Sequence, residues 1–208
     1  MIDVEALKTE FQQTYGSEPQ VFRAPGRVNL IGEHTDYNEG FVMPAALEFA
    51  TWVAIAQRDD DTLHLRSRNI GEPVEVSLDH PLAPRHDWSD YVLGVANEIQ
   101  HSGAQLRGAD LLIDGRVPVG SGLSSSAALE VASGMALLES NRQAVDRTQL
   151  ALLCQRAENN FVGTRCGIMD QFISCHGKEG HALMLDCRDL SFRLFRVPAA
   201  ARIVVCNT

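Results

Sequence analysis

Runs of apolar residues predict a sheet over the first part of the chain. Strands are predicted at residues 21–24, 49–57, 62–66 and 74–78. In the last of these, Val74, Val76 and Leu78 alternate with polar residues, which is the period of a half-buried strand. Together these segments predict a largely antiparallel sheet.

Helical spacing follows in the middle of the chain. Apolar residues recur three and four apart on one predicted helix face: Trp88, Tyr91, Val92, Val95, Ala96 and Ile99. After a strand at residues 109–113 comes a stretch rich in turn-forming residues and then an apolar helix at about residues 127–138. Another helix is predicted from Asp146, with Gln149 placed as in a capping box. Its buried stripe would be Leu150, Leu153, Cys154, Ala157 and Phe161.

Three strands are predicted at the end of the chain, at residues 181–186, 192–197 and 202–206. The last lies in an apolar run that reaches Thr208, an unusual place for a natural C-terminus. We therefore expect residues 1–208 to be a truncated α+β chain.

Composition and charge narrow the class of protein. Of 208 residues, 45% are hydrophobic and 22% charged, which suits an ordinary globular core. The net charge of −9, without a stripe of Lys and Arg, argues against nucleic-acid binding. The N-terminal residues have no apolar signal core, and Pro44 and Glu48 interrupt the longest apolar stretch, so no secretion signal or membrane span is expected.

The five cysteines are odd in number and lack the Cys-x-x-Cys spacing of zinc or redox sites. We interpret them as reduced, mostly buried thiols of a cytoplasmic protein. They are Cys154, Cys166, Cys175, Cys187 and Cys206.

The first segment with candidate chemistry covers residues 24–38. Arg27, Glu33, His34 and Asp36 lie there within ten residues, among Gly and Pro. A neutral sugar offers only hydroxyls, and carboxylates and imidazole supply the acceptors and donors that hold them. A solvated polar loop explains the same composition. A zinc site is disfavoured, because His34 and Asp36 lack the helical i, i+4 spacing.

The second segment, residues 118–128, is rich in Gly and Ser and ends where a helix begins. Glycines let backbone amides approach a phosphate, and the helix dipole favours its charge. Serine hydroxyls can add hydrogen bonds or coordinate Mg²⁺. The segment is not a P-loop, since no Gly-Lys-Ser/Thr follows, and a plain helix start remains the alternative.

The third segment is Cys166-Gly-Ile-Met-Asp-Gln-Phe, with Glu158 on the preceding helix. Asp170 would lie near a helix N-terminus, where the dipole stabilises an ionised carboxylate or where it serves only as a cap. Glu158 follows Cys154 at i+4 along the apolar stripe, so it faces inward. A buried carboxylate needs a partner, and Mg²⁺ is a candidate.

In this order, the three segments resemble the galactokinase branch of the GHMP kinase family. The resemblance rests on Gly-Arg-Val-Asn-Leu-Ile-Gly-Glu-His-Thr-Asp-Tyr-Asn from Gly26, Gly-Ser-Gly-Leu-Ser-Ser-Ser-Ala-Ala from Gly120 and Cys-Gly-Ile-Met-Asp-Gln from Cys166. It extends to Trp-Ser-Asp-Tyr-Val at 88 and Leu-Asp-Cys-Arg at 185. The resemblance implies the family's N-terminal lobe, a ribosomal protein S5-like sheet with helices, with most of the C-terminal lobe missing.

The resemblance also implies the activity and the roles of particular residues. The reaction would be ATP-dependent phosphorylation of the C1 hydroxyl of α-D-galactose, with Asp170 as catalytic base and Arg27 stabilising the transferred phosphoryl group. The sugar pocket would comprise Glu33, His34, Thr35, Asp36 and Gly167. The ATP site would comprise Gly120, Ser121, Gly122, Leu123, Ser124, Ser125 and Ser126, with Trp88 and Ser67. Ser126 and Glu158 would hold Mg²⁺.

Three questions stay open at this stage. A non-catalytic sensor of galactose and ATP could share this fold, although intact Arg27, Asp170 and Ser126 favour the kinase. An ionised Asp beside an Arg is a weak base, so Asp170 either takes the proton or only orients the hydroxyl. The activity of the 208-residue chain by itself is also open. The full-length protein is expected to be a monomer that binds galactose and MgATP, with no nucleic-acid or membrane partner.

Overall fold

The computed structural model describes residues 2–206, which form one α+β unit. The α-helices are α1 (Val4–Tyr15), α2 (Asp90–His101), α3 (Ser125–Ser140), α4 (Arg147–Arg156) and α5 (Met169–His176). The strands are β1 (Gln20–Asn29), β2 (Phe41–Val42), β3 (Pro44–Gln57), β4 (Thr62–Ser67), β5 (Val74–Ser77), β6 (Ala109–Gly115), β7 (His181–Asp186) and β8 (Phe192–Arg196). The α+β class predicted from the sequence is confirmed.

All strands join one sheet with the order β2-β7-β3-β6-β4-β5, while β1 pairs with β3 and β8 with β7. Within residues 2–206, every pairing is antiparallel except that of β4 with β6. The prediction of a largely antiparallel sheet is therefore confirmed. The parallel pair arises because the chain returns through β5 and α2, and parallel neighbours need such a crossover.

The sheet has a core on each face. Leu111 and Ile113 of β6 belong to the large core that includes buried residues of α2 to α5, while Leu112 packs with Leu7 and Phe11 of α1. This alternation is the period-two pattern of a strand buried on both sides. The sequence pattern did not predict α1, since only two of its residues are buried.

The predicted helix starts are largely correct. The Asp146 side chain accepts a hydrogen bond from the Gln149 amide, as expected for a cap. After Arg156 the backbone widens into a π-helix, Ala157–Val162, which keeps Ala157 and Phe161 buried. No helix within residues 2–206 has the length and apolar character needed to cross a bilayer.

The strand predicted at residues 202–206 is wrong as far as the described residues go. Residues 201–206 have no regular structure and are exposed, and Val204 is 80% exposed. A strand forms only with a pairing partner, and no described strand pairs with this segment. Residues 207 and 208 of the predicted run lie outside the described part.

Candidate active site

A close approach between β1 and the glycine-rich loop places Arg27. The pairing of β1 with β3 shifts register between Pro25 and Arg27, and the Arg27 amide donates to the Leu123 carbonyl at 3.1 Å. A Cβ on Gly26 would lie 2.6 Å from that carbonyl oxygen and 2.9 Å from a Val117 methyl carbon. Only glycine fits here, and it brings the Arg27 side chain beside the loop.

The Arg27 guanidinium holds the Asp170 carboxylate in a bidentate ion pair. Nε lies 2.8 Å from Oδ1 and Nη2 lies 2.9 Å from Oδ2, with both side chains largely shielded from solvent. Nη1 also donates to the Gly122 carbonyl, and the Ser124 hydroxyl donates to Asp170 Oδ2 at 2.5 Å. The three predicted segments therefore meet at one carboxylate.

Asp170 is not the cap of α5. The N-cap position is Ile168, which makes no side-chain cap bond, and Asp170 is the second residue of the helix. Its two oxygens bind Arg27 and Ser124 instead. The purely structural alternative of a helix cap is therefore wrong for this residue.

The glycine-rich loop leaves the start of α3 uncapped. Gly120, Gly122 and Ser124 have φ values of 72°, 69° and 60°, the left-handed region. Ser124 is the N-cap residue but makes no cap bond, because its hydroxyl is directed to Asp170. The first amides of a long helix thus have no side-chain acceptor from the cap position, an arrangement that suits an anion.

The remaining loop residues have different positions. The Leu123 side chain is buried with Val117 and Ala128 and anchors the loop to the protein. Ser121 uses its hydroxyl within the loop by donating to the Pro118 carbonyl at 2.7 Å. Ser125 and Ser126 open the helix and face a cleft.

This cleft brings Ser67 and Trp88 together with Ser125 and Ser126, as the resemblance implied. It is mainly apolar, and its lining also includes Asn69, Ile70, Tyr91, Val119 and Leu129, which were not assigned to a site from the sequence. The helical spacing predicts that Tyr91 belongs to the core, and nothing in that spacing indicates the cleft. The Trp88 indole N–H donates to the Glu72 carbonyl at 3.3 Å.

Glu158 faces inward, as predicted. Its carboxylate receives hydrogen bonds from the Gln171 amide at 2.6 Å and the Cys166 thiol at 3.3 Å, and the Ser126 side chain lies beside it. Burial raises the pKa of Glu158. A buried carboxylate beside a hydroxyl oxygen is a hard ligand pair that suits Mg²⁺, an ion that takes few protein ligands. Within residues 2–206, no cluster of three or more His, Cys, Asp or Glu side chains could hold a metal ion.

A second buried glutamate lies behind this pair. Glu130 of α3 is inaccessible to solvent, and one of its oxygens accepts from the same Gln171 amide nitrogen at 3.0 Å. Burial raises the pKa of Glu130 well above its usual range, and the nearby charge of Glu158 adds to this effect. Neither Glu130 nor Gln171 was assigned a role from the sequence, because no local pattern links residues 41 positions apart.

The predicted sugar segment is a tight loop that fixes some of its side chains internally. The Thr35 hydroxyl lies 2.8 Å from the carbonyl oxygens of both Gly32 and Phe41, so it is used in closing the loop. His34 has a φ of 59°, and its Nδ1 lies 2.7 Å from the Tyr37 hydroxyl. The Glu33 carboxylate accepts from the Asn29 amide at 3.0 Å. Glu33 and His34 are both exposed on the loop.

Asp36 and Gly167 connect this loop to the segment that carries Asp170. A Cβ on Gly167 would lie only 2.0 Å from Asp36 Oδ2, so the carboxylate packs directly on the glycine backbone. Residues predicted from two distant motifs are thus in contact. The predicted sugar segment, residues 24–38, therefore lies beside the residues that precede α5.

Comparison with known proteins agrees with this arrangement. Residues 9–57 match the galactokinase galactose-binding signature, and residues 90–178 match the N-terminal domain of GHMP kinases. A galactokinase of Chloroflexus aggregans is 49% identical over 210 residues, covering 100% of this chain and 54% of that protein. A galactokinase of Roseiflexus sp. is 47% identical over 209 residues, with the same shares covered. The chain spans about half the length of these relatives.

Solved structures share the fold. The Lactococcus lactis galactokinase complexed with galactose superposes with a TM-score of 0.89 at 38% identity, covering 96% of this chain and 52% of that one. The Methanococcus jannaschii mevalonate kinase gives a TM-score of 0.74 at 18% identity, covering 88% of this chain and 57% of that one, which supports the fold alone. By its two family matches and by its identity to these relatives along all of its own 208 residues, the chain belongs to the galactokinase branch of the GHMP kinase family.

Proposed function

We propose that the full-length protein transfers the γ-phosphoryl group of ATP to the C1 hydroxyl of α-D-galactose. The observation that carries this proposal is the meeting of three segments at Asp170. Arg27 and Ser124 bond its carboxylate, and the Asp36–Gly167 contact brings the sugar-type loop to the same place. An acceptor carboxylate, a cation and an anion-binding loop are the parts that phosphoryl transfer needs in one place.

In this proposal, residues 1–208 form the lobe that binds the sugar and ATP. The phosphates bind along Gly120–Ser126 at the uncapped start of α3, where amide groups and the helix dipole favour negative charge. The adenine enters the apolar cleft with Trp88 and Ser67 in its wall. The sugar binds against Glu33, His34, Asp36 and Gly167, while Thr35 holds the loop closed.

Mg²⁺ would be held by Ser126 and Glu158. When bound, it supplies positive charge that offsets the charge of the phosphate oxygens. The remaining contacts of Glu158 come from Gln171 and Cys166, which orient the carboxylate before any ion arrives.

In this proposal Asp170 and Arg27 have separate tasks, and the geometry of their ion pair supports both. The ion pair fixes the Asp170 carboxylate, so it can accept a hydrogen bond from the C1 hydroxyl without moving. In a loose transition state the hydroxyl proton leaves late, and a firmly placed weak base is enough. Arg27 also reaches the glycine-rich loop and can offset charge on the transferred group from that position.

We further propose a cytoplasmic monomer with galactose and MgATP as its only partners. The odd cysteine count without paired spacing supports a reducing compartment. Of the five thiols, which were predicted to be mostly buried, only Cys154 and Cys175 are buried.

The proposal is tested by assaying the full-length protein with ATP, Mg²⁺ and a panel of acceptors: galactose, glucose, N-acetylgalactosamine and mevalonate. We expect ADP and galactose 1-phosphate to form in equal amounts, with galactose preferred at least about tenfold in kcat/KM. Binding of both ligands without turnover would instead favour a sensor, and turnover with mevalonate but not galactose would contradict the substrate.

A further inference from the structure

Asp114 lies on the opposite side of the sheet from the apolar cleft that is lined by Ser67, Trp88, Ser125 and Ser126. In β6, Ile113 and Gly115 line the cleft, and the side chain between them points to the α1 face. The Asp114 side chain is 0% exposed. Burying an ionised carboxylate costs free energy unless the carboxylate is paired. The groups that bind Asp114 therefore indicate which parts of the structure it connects.

Two guanidinium groups bind this carboxylate. Arg68 Nη1 lies 2.8 Å from Asp114 Oδ2. Arg116 Nε lies 2.6 Å from Oδ1, and Arg116 Nη2 lies 2.8 Å from Oδ2. Arg68 also binds Glu10 of α1 through Nε and Nη2, at 2.8 and 2.6 Å. Asp114 is therefore the centre of a charge network that joins α1 to two other segments of the chain.

These two segments are the walls of the cleft. Arg68 stands between Ser67 and Asn69, and Arg116 stands between Gly115 and Val117, all four of which line the cleft. The walls also bond each other directly: the Arg68 amide donates to the Ile113 carbonyl at 2.9 Å, and the Gly115 amide donates to the Asn69 side-chain Oδ1 at 2.7 Å. From the α1 face of the sheet, Asp114 also joins the two walls, because it binds both Arg68 and Arg116.

We propose that Asp114 is a positioning residue for nucleotide binding: by holding Arg68 and Arg116 from the back of the sheet, it sets the spacing of the cleft walls. This inference rests on the proposed function, because it takes the cleft as the ATP site. Asp114 touches no ligand in this scheme and acts only through the two arginines.

The test is Asp114→Asn in the full-length protein. The amide turns a donor toward one arginine, which breaks that bond at nearly constant volume. We expect the Kd for a non-hydrolysable ATP analogue with Mg²⁺ to rise about 3- to 30-fold, measured by calorimetry without galactose. The Kd for galactose, titrated separately, should stay within about twofold.

Asp110→Asn is the matched control. Asp110 lies on the same strand and face, is also buried, and is paired with Arg58 at 2.9 Å and His64 at 3.2 Å. Its neighbours Ala109 and Leu111 do not line the cleft. Asp110→Asn should lower thermal stability by a similar amount while leaving the ATP-analogue Kd unchanged. An unchanged Kd in Asp114→Asn, or an equal rise in both variants, would overturn the inference.

Arg116→Gln keeps the test decisive if Asp114→Asn does not fold. The Arg116 side chain is 55% exposed, and its ion pair is with Asp114, so the change removes one arm of the network at small cost to folding. A folded Arg116→Gln protein should bind the analogue at least about threefold more weakly, and wild-type affinity would overturn the proposal. Failure of the wild-type protein to bind the analogue would count against the proposed function itself.

Discussion

Asp170 has both oxygens engaged before any sugar arrives. Oδ2 accepts from Arg27 and Ser124, whereas Oδ1 accepts from Arg27 alone. A carboxylate oxygen has room for a further donor, so in the proposed reaction Oδ1 is the atom that would receive the C1 hydroxyl. The contacts of Arg27 and Ser124 thus distinguish the two oxygens, which the sequence could not do.

Asp170→Asn should lower kcat of the full-length protein by at least about tenfold, roughly 1.4 kcal/mol in the barrier. The amide keeps the shape but cannot take a proton and places a donor toward Arg27. Galactose affinity should stay within about threefold, since Asp36 and Gly167 are untouched. The measurement is steady-state kinetics with calorimetry of galactose binding. A kcat above a tenth of the wild-type value would remove Asp170 from the base role.

Glu130 should make stability depend on pH. Because its pKa is raised in the folded protein, the folded state holds a proton that the unfolded state releases. Its contribution is thus present below the ordinary pKa and is lost as pH rises toward the folded value, by up to about 1.4 kcal/mol per pH unit. Glu130→Gln keeps the acceptor for Gln171 and removes this proton.

Thermal unfolding without nucleotide or divalent ions, from pH 5 to pH 8, checks this expectation. Wild-type stability should fall more steeply with pH than that of Glu130→Gln, so the gap widens toward pH 8. Glu139→Gln, exposed on the same helix, is the control and should follow the wild-type curve. Parallel curves for wild type and Glu130→Gln would show that the buried acid does not set the slope.

At the scale of elements, local patterns predicted most of the sheet and three of the helices. The period of two in β5 and the stripe of α4 depend on near neighbours, which a sequence displays directly. The π-helix at Ala157–Val162 was not predictable, because it keeps the same residues buried as an α-helix would. The error at residues 202–206 has the opposite cause: an apolar run resembles a strand whether or not a partner is present.

The candidate site likewise has features that the sequence predicts and features that it does not. The motifs located Arg27, Asp170 and Glu158 because family resemblance fixes residue types. Contacts such as Asp36 with Gly167 could not be predicted, since they join loops far apart in the chain. Asp114 had no signal in the sequence, because Arg68, the partner that links it to α1, lies 46 residues away along the chain.

Gly26→Ala tests the contact between β1 and the glycine-rich loop. The added methyl would meet the Leu123 carbonyl, a backbone atom that can yield only if the loop moves. We expect a loss of about 1–3 kcal/mol in the free energy of unfolding by urea denaturation, and a lower kcat because Arg27 shifts. Gly115→Ala is the control, with its nearest neighbours at 3.7 and 3.9 Å, and should cost less stability. Equal stability of the two variants would show that the loop adapts freely.

For the molecule as a whole, one edge of the sheet, strand β8, is exposed and partly apolar. All five residues of β8 are exposed, including Phe192, Leu194 and Phe195, and the segment with Val204 and Val205 is exposed as well. An edge strand with unpaired backbone groups and apolar side chains favours association between chains.

Residues 1–208 expressed alone should therefore self-associate and form no galactose 1-phosphate, since they leave the β8 edge open and span about half the length of the galactokinase relatives. Size-exclusion chromatography with light scattering, run beside the phosphoryl-transfer assay, measures both. Replacing Leu194 and Phe195 by Ser should reduce association because the apolar patch is lost, whereas Phe49→Ser, exposed away from this edge, should have little effect. A monodisperse monomer that phosphorylates galactose would show instead that this lobe carries a complete site and needs no cover on β8.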